Sequence, residues 1–557
     1  MIKFFIFLLF FLLYQSVSIS KINEIENFNQ KYLSNYFSGI VSLKNEETEA
    51  SFKFLENSYP ISETHKNYLK NYLVSLVMNR QVDKAIKKIK DNEVNTEIFL
   101  EKEVLLFVDS IKKKNFIKSQ THMTNLEDSP EINDTISVIL YETLKNYIRV
   151  FNTRDSSSYL QKNFGELDEI NLIFLNCYLD KNQTIQLFDK FIASDGTNSR
   201  YIYFYIDHLL EKKKLKEASI IANKISDLDS SLLLSQIKYW SKNSKYEEIN
   251  NLFSCNSEKD LIAEFFYLIA SLYSSQGQYF ESNFYLILSY YLNPKFYPNS
   301  ALLIENYVDN KRYKLAKKEL GKITKKNLLF DWFKIKKKAS IIEAEEEEEQ
   351  NALKFVKKNY ELLNSANAKI KFDMANILRN FKDYKYSIKI YSDLIEKNNF
   401  NNEEFADLYY KRGTCFERMK NYKKADEDFL NSLKLDPNDA YVLNYLGYSW
   451  LERSYKINEA MKMLQKAYDL MSNDPYITDS IGWAYFLLKD FKNAKKYLQQ
   501  AVKLMPYDPI VNDHYGDVLW RLEKKIQARY FWNGALKLDG VDEEMRKKIK
   551  NKLVYGL

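Results

Sequence analysis

The sequence predicts an all-α chain, an α-α superhelix of antiparallel helical hairpins stacked as a solenoid. Two observations carry this. Gly413, Gly447, Gly482 and Gly516 recur at spacings of 34, 35 and 34 residues. Each is followed 12 or 13 residues later by an alanine (Ala425, Ala460, Ala494, Ala528), and seven further on by another small residue (Ser432, Ala467, Ala501, Ala535). A fixed period of about 34 residues marks stacked hairpins, the small positions being where one helix crosses another too closely for bulk. The second observation is scarcity. Only 12 Gly and 8 Pro occur in 557 residues, well below the usual roughly 7% and 5%, which favours long helices joined by short polar links over a turn-rich sheet.

The elements follow in chain order. Residues 1–20 read as a secretory signal peptide: Lys3 supplies the positive start, Phe4 to Tyr14 form an apolar run, and Ser16, Ser18 and Ser20 offer small residues at the exit. The run is shorter than the about 20 apolar residues that a membrane span needs. No cysteine lies at this exit, so the lipid-bearing cysteine of a bacterial lipoprotein is missing. The expected location is periplasmic, with inner-membrane anchoring by an uncleaved segment as the alternative.

Residues 21–400 read as worn copies of the same unit. Phe37, Val41, Ala50, Phe54 and Pro60 suggest one near the start. Phe266, Ile269, Ala270, Tyr273, Ser282, Leu286 and Ser289 fall in register, then Leu303, Tyr307, Tyr313, Ala316 and Leu320, then Met374, Ala375, Leu378, Tyr384, Ser387 and Tyr391. Trp332 to Asn359 reads as a lengthened hairpin. From Tyr68 to Asp260 the periodicity is helical without a register. Asn125–Asn133 and Ala193–Asn198 are linkers or ordinary inter-helix turns.

Residues 401–540 hold the clear units, at about 406–439, 440–474, 475–508 and 509–540. The first carries Tyr409, Gly413, Phe416, Ala425, Phe429, Ser432 and Pro437; the second Leu446, Gly447, Trp450, Ala460, Leu464 and Ala467. The third carries Ile481, Gly482, Tyr485, Ala494, Leu498, Ala501 and Pro506, and the fourth Tyr515, Gly516, Leu519, Ala528, Trp532 and Ala535. Residues 541–557 follow as a capping helix, with Met545, Ile549 and Leu553 on one stripe and charges elsewhere, the polar-backed end that a solenoid requires. In these residues the chain resembles the tetratricopeptide repeat family. The runs Asp479 to Tyr485 and Tyr515 to Trp520 are similar to those of bacterial envelope members regarded as adaptors.

Composition narrows function mainly by exclusion. Net charge is +7, from 82 basic and 75 acidic residues, without the one-sided basic block of a nucleic-acid binder. The three cysteines, Cys177, Cys255 and Cys415, are far apart and read as buried free thiols, a Cys177–Cys255 bridge being decidable only by distance. The histidines His65, His122, His208 and His514 are isolated in sequence, and no zinc-ligand spacing, phosphate loop or nucleophile elbow occurs. No enzyme, cofactor or metal is therefore expected.

The resemblance implies that the first helix of each hairpin lines a concave groove. Carried onto this chain, its partner-binding residues are Tyr410, Asn444, Tyr448, Asp479, Trp483, Asp513, Asp517 and Arg521. The lysine and asparagine clamp by which some members hold a C-terminal carboxylate is absent, and the aspartates favour a basic or hydroxyl-rich partner. The expected function is an exported, non-enzymatic scaffold for protein partners of the cell envelope, binding no nucleic acid and no small-molecule cofactor. Two alternatives stay open: a carbohydrate-binding or polysaccharide-export accessory protein, and an enzyme accessory with chemistry in Tyr68–Asp260.

Overall fold

The computed structural model describes residues 30–557 except 64, 66, 92–97, 128, 130, 194–198, 324–327, 347–348, 364–365 and 398–399. The expected signal segment and most of the Ala193–Asn198 linker lie outside the described residues. No strand occurs among the described residues, and consecutive helices pair as hairpins. Two compact units result, residues 1–363 and 364–557.

The unit 364–557 stacks five hairpins. They are Ala368–Asn380 with Tyr384–Lys397, Asn402–Arg418 with Tyr422–Leu435, Ala440–Glu452 with Ile457–Leu470, Pro475–Leu487 with Phe491–Leu504, and Pro509–Arg521 with Lys525–Ala535; the helix Glu543–Tyr555 follows. Local sequence explains where they start. Asp474 and Asp508 precede a proline at the first helical position, and their carboxylates accept the backbone amides of Ile477 at 2.9 Å and of Ile510 and Val511 at 2.8 and 2.9 Å. Such a cap contributes about 1 kcal/mol, and proline there forfeits no bond. Asn401 and Glu404 cap each other reciprocally at the first of the four clear units.

Hairpin turns explain the scarcity of glycine. Each tight turn needs a residue in the left-handed region, and here Lys382, Lys420, Ser454, Lys489 and Glu523 fill it, with φ of 62°, 60°, 53°, 63° and 60°. Glycine is the easier choice at such a position. The low glycine count thus reflects what fills the turns as much as how few there are.

The recurring glycines do mark helix crossings. A Cβ on Gly413, Gly482 or Gly516 would come within 2.9, 2.8 and 2.5 Å of the side chains of Phe429, Leu498 and Trp532, each sixteen residues on. The second clear unit has one extra residue, and Gly447 meets Leu464, seventeen on. In two of the worn units alanine stands where the clear units have glycine. Ser282 Oγ donates to the Ala270 carbonyl at 2.7 Å and Ser387 Oγ to the Ala375 carbonyl at 2.8 Å, tying the second helix to the first.

In the unit 1–363 the first hairpin, Gln30–Lys44 with Thr48–Asn57, corrects the expected register. Phe37 and Val41 are 53% and 59% exposed, while Tyr36, Gly39 and Leu43 are buried. Gly39 is the crossing residue, since a Cβ there would stand 2.6 Å from Leu55 Cγ. An aromatic or branched residue at the neighbouring positions turns outward because the helix can approach only on its glycine face.

The unit 1–363 is not a simple nearest-neighbour stack. Glu46, 3% exposed, accepts Asn283 Nδ2 at 3.1 Å and Asn310 Nδ2 at 2.5 Å. Arg80 pairs with Glu319 at 2.7 Å, and the helix Tyr68–Met78 packs on Tyr279–Leu292. Arg200 makes two further long-range links in the same unit, forking onto buried Glu264 at 2.7 and 2.8 Å and reaching buried Asn299 at 2.7 Å.

The cysteines require a second correction. Cys177 and Cys255 form a disulfide with their Cα atoms 5.9 Å apart, within the range that a bridge needs. Cys415 alone is a buried free thiol.

Candidate partner-binding surface

In the unit 364–557 the first helices of successive repeats touch: Ala440–Glu452 packs on Pro475–Leu487, which packs on Pro509–Arg521. Residues at one register position on these helices therefore form a stripe. Tyr410, partly buried, sits at one end with its ring 6.1 Å from that of Tyr445 and 6.2 Å from that of Phe429. Asn444 is partly buried, and its Oδ1 accepts no hydrogen bond among the described residues. Tyr448, also partly buried, has its hydroxyl pKa pushed up by burial first and by the carboxylates of Glu452 and Asp479 second.

The centre of the stripe is a connected cluster. The Trp483 ring stacks on Phe486 at 4.6 Å and on His514 at 4.0 Å, with interplanar angles of 13° and 15°. Trp483 Nε1 donates to Glu452 at 3.1 Å, and His514 Nδ1 lies 2.9 Å from the buried Asp479 carboxylate. His514, read from sequence as isolated, is thus held by a carboxylate and an indole from the preceding repeat. Burial by itself would lower its pKa; the carboxylates of Asp479, Asp513 and Asp517 more than offset this and raise it.

The fourth repeat is covered by the chain itself. Lys552 Nζ, from the last helix, stands 2.8 Å from carboxylate oxygens of both Asp513 and Asp517. Asp517 also accepts Trp532 Nε1 at 2.9 Å. Burial, and then Asp513, push the Asp517 carboxyl up to about 6 against the opposing pull of Lys552. Gly556 lies so close to Trp520 that a Cβ would sit 2.1 Å from the indole Cζ2. Arg521 projects from the fourth repeat and is exposed.

The structure therefore brings partly exposed Tyr448 and Trp483 together with buried Asp479, pairs Asp479 with His514, and gives Asp513 and Asp517 an internal cation in Lys552. Sequence reasoning missed Glu452, His514 and Lys552. Lys552 had a signal, since the helix period places it one residue from the Ile549–Leu553 stripe, but nothing in the chain order pairs it with residues 35 and 39 positions earlier.

No cofactor-type cluster lines this surface among the described residues. A shallow cavity of about 210 Å³ lies elsewhere, in the unit 1–363, lined by Gln120, Met123, Lys145, Ile148, Arg149 and Asn152 among others. No described helix is long and apolar enough to cross a membrane.

Comparison with known proteins agrees with this geometry. Tetratricopeptide repeat models match residues 406–439 and 480–508. A TPR repeat-containing protein of Pseudomonas aeruginosa is 32% identical over 80 residues, which is 14% of this chain and 14% of that protein. Among solved structures, a thermophilic TPR protein of Thermus thermophilus is 16% identical, with 33% of this chain and 97% of that one covered at a TM-score of 0.29. Pseudomonas aeruginosa PilF is 18% identical, covering 33% and 90% at 0.28. MamA of Desulfovibrio magneticus is 20% identical, covering 30% and 94% at 0.25. Two family matches on hairpins with glycine crossings in register lead to one conclusion: the chain carries tetratricopeptide repeats at residues 406–439 and 480–508.

Proposed function

We propose that this chain is an exported, non-enzymatic scaffold that holds protein segments on the first-helix surface of its second and third clear repeats. The observation that carries the reading is the open stripe itself. Tyr441 and Tyr476 stand 50% and 60% exposed at the starts of these two first helices, and Trp483 further along the second is partly exposed. Exposed aromatic rings on successive first helices suit an extended peptide whose side chains pack on them. Repeats of this family serve as scaffolds for protein interaction.

The chemistry of the partner follows from charge. Exposed Glu452, which accepts the Trp483 indole, favours a segment with a basic side chain, as Asp479 holds His514 and Asp513 and Asp517 hold Lys552 within the chain. Trp483 already stacks on two of the chain's own rings, which leaves less indole face for a sugar and weighs against the carbohydrate alternative. Envelope placement rests on the export signal read in residues 1–20.

Capture from an envelope extract on the immobilised protein, beside the Trp483→Ala variant, tests the reading. Proteins that elute from the first and are lost from the second support it; equal capture by both refutes the site. Fusion of residues 1–30 to a reporter active only outside the cytoplasm tests export separately, and a silent reporter refutes that part alone.

A further inference from the structure

The Cys177–Cys255 disulfide has companions that a cross-link does not need. His208 Nδ1 lies 3.1 Å from Cys177 Sγ, and a Glu211 oxygen lies 4.0 Å from Cys255 Sγ. One ligand atom from each of these four residues falls within 4.8 Å of all the others. Cys177, His208 and Cys255 are at most 4% exposed. A structural bridge requires two sulfurs and apolar packing. Burying an imidazole and a carboxylate beside it costs stability unless they serve a partner.

The ligand atoms come from well-anchored places. Cys177 is in the last turn of the helix Glu166–Tyr178, and His208 and Glu211 lie one turn apart on Tyr201–Glu211. Cys255 lies in the link between Tyr246–Asn250 and Glu258–Ser275. A spacing of three on a helix puts both side chains on one face. Ser254 Oγ donates to the Glu211 carboxylate at 2.9 Å, the kind of outer partner that orients a metal ligand. Asp207, 2% exposed with its Oδ1 unpartnered among the described residues, adds a carboxyl group within electrostatic reach of Glu211.

We infer that this pocket binds one divalent cation of the zinc class when Cys177 and Cys255 are reduced, through both thiolates, His208 Nδ1 and a Glu211 oxygen. Tetrahedral zinc with bonds of about 2.0–2.3 Å sets its ligand atoms roughly 3.3–3.8 Å apart. The His208–Cys177 and Glu211–Cys255 separations of 3.1 and 4.0 Å bracket that range. The larger adjustment is the parting of the two sulfurs. A dithiol reductant supplies it by exchange: two electrons and two protons pass to the S–S bond, which becomes two thiols while the reductant becomes a disulfide. Each thiol then releases its proton as the cation binds. Two sulfurs and an imidazole select zinc over magnesium or calcium, which prefer oxygen. The pocket thus holds a cross-link in an oxidising compartment and a metal in a reducing one.

The full chain, reduced with a phosphine without oxygen and stripped of metal by a chelator, is offered Zn²⁺ or Co²⁺ and desalted. We expect one zinc retained per chain, a thiolate-to-cobalt charge-transfer band with Co²⁺, and neither with the oxidised protein. Glu211→Gln, which preserves shape, should weaken zinc binding roughly tenfold or more, as should His208→Ala. Reduced protein of native circular dichroism that holds no more zinc than the oxidised form overturns the assignment. So does equal zinc uptake by the Cys177→Ser/Cys255→Ser variant, or loss of helix content on reduction that zinc does not restore.

Discussion

Substitution of Gly482 by alanine tests the crossing argument most directly. The added Cβ would lie 2.8 Å from Leu498 Cγ, 3.0 Å from its Cδ2 and 3.0 Å from its backbone nitrogen. A rotamer change can remove the first two contacts but not the third, so the two helices must part. Overpacking of this kind costs about 1–3 kcal/mol. Alanine also returns about 1 kcal/mol of helix propensity over glycine, which leaves a net loss of roughly 1 kcal/mol. Gly482→Leu brings more atoms to the same crossing and should reach the upper end, about 3 kcal/mol. Gly534 is the internal control. It lies on the helix Lys525–Ala535 with nothing within 4 Å of its would-be Cβ, so alanine there keeps only the propensity gain of up to about 1 kcal/mol. Urea unfolding followed by tryptophan fluorescence reports on the relevant unit, because four of the six tryptophans (Trp450, Trp483, Trp520 and Trp532) lie in residues 364–557. Opposite signs for the two variants are expected. Gly482→Ala and Gly482→Leu both as stable as the parent would refute the close crossing and the register built on it.

Lys552→Met leaves Asp513 and Asp517 without their cation and should destabilise the unit by about 3 kcal/mol, less at pH 5 than at pH 8 because Asp517, pushed up to about 6, can then protonate; an equal loss at both pH values would contradict the pairing. His514 has a raised folded pKa, so its contribution is complete below its ordinary pKa of about 6.5 and fades as pH rises through the folded value. Asp517 acts in the same direction at lower pH, so unfolding midpoints should decline from mildly acidic to mildly alkaline pH, and His514→Asn should flatten the upper part of that decline. Trp483→Ala should weaken capture of a partner by about 2 kcal/mol or more with helix content intact; loss of folding would instead make the indole a packing residue.

Much of the architecture was legible in the chain. A recurring glycine followed sixteen residues later by a large apolar side chain, as at 413, 482 and 516, marks a helix crossing, because only a missing side chain allows that approach. Asp-Pro at 474–475 and 508–509 states a helix start, since the carboxylate caps and the proline fits the first turn. These are local or nearest-neighbour rules, and sequence order carries them. Where an aromatic pattern stood in for the crossing residue, as with Phe37 and Val41 in place of Gly39, the register slipped. Tertiary structure alone decided the contacts that order does not carry. Asp513 and Asp517 look like partner-binding carboxylates until Lys552 returns from the last helix to fill them. Glu46 shows no purpose until Asn283 and Asn310 arrive from more than 200 residues away. Cys177, His208, Glu211 and Cys255 match no ligand spacing, yet two helices and an inter-helix link bring them within 4.8 Å. Periodic packing repeats a rule that each unit can state for itself, whereas a polar contact between distant helices depends on where the whole stack places two side chains.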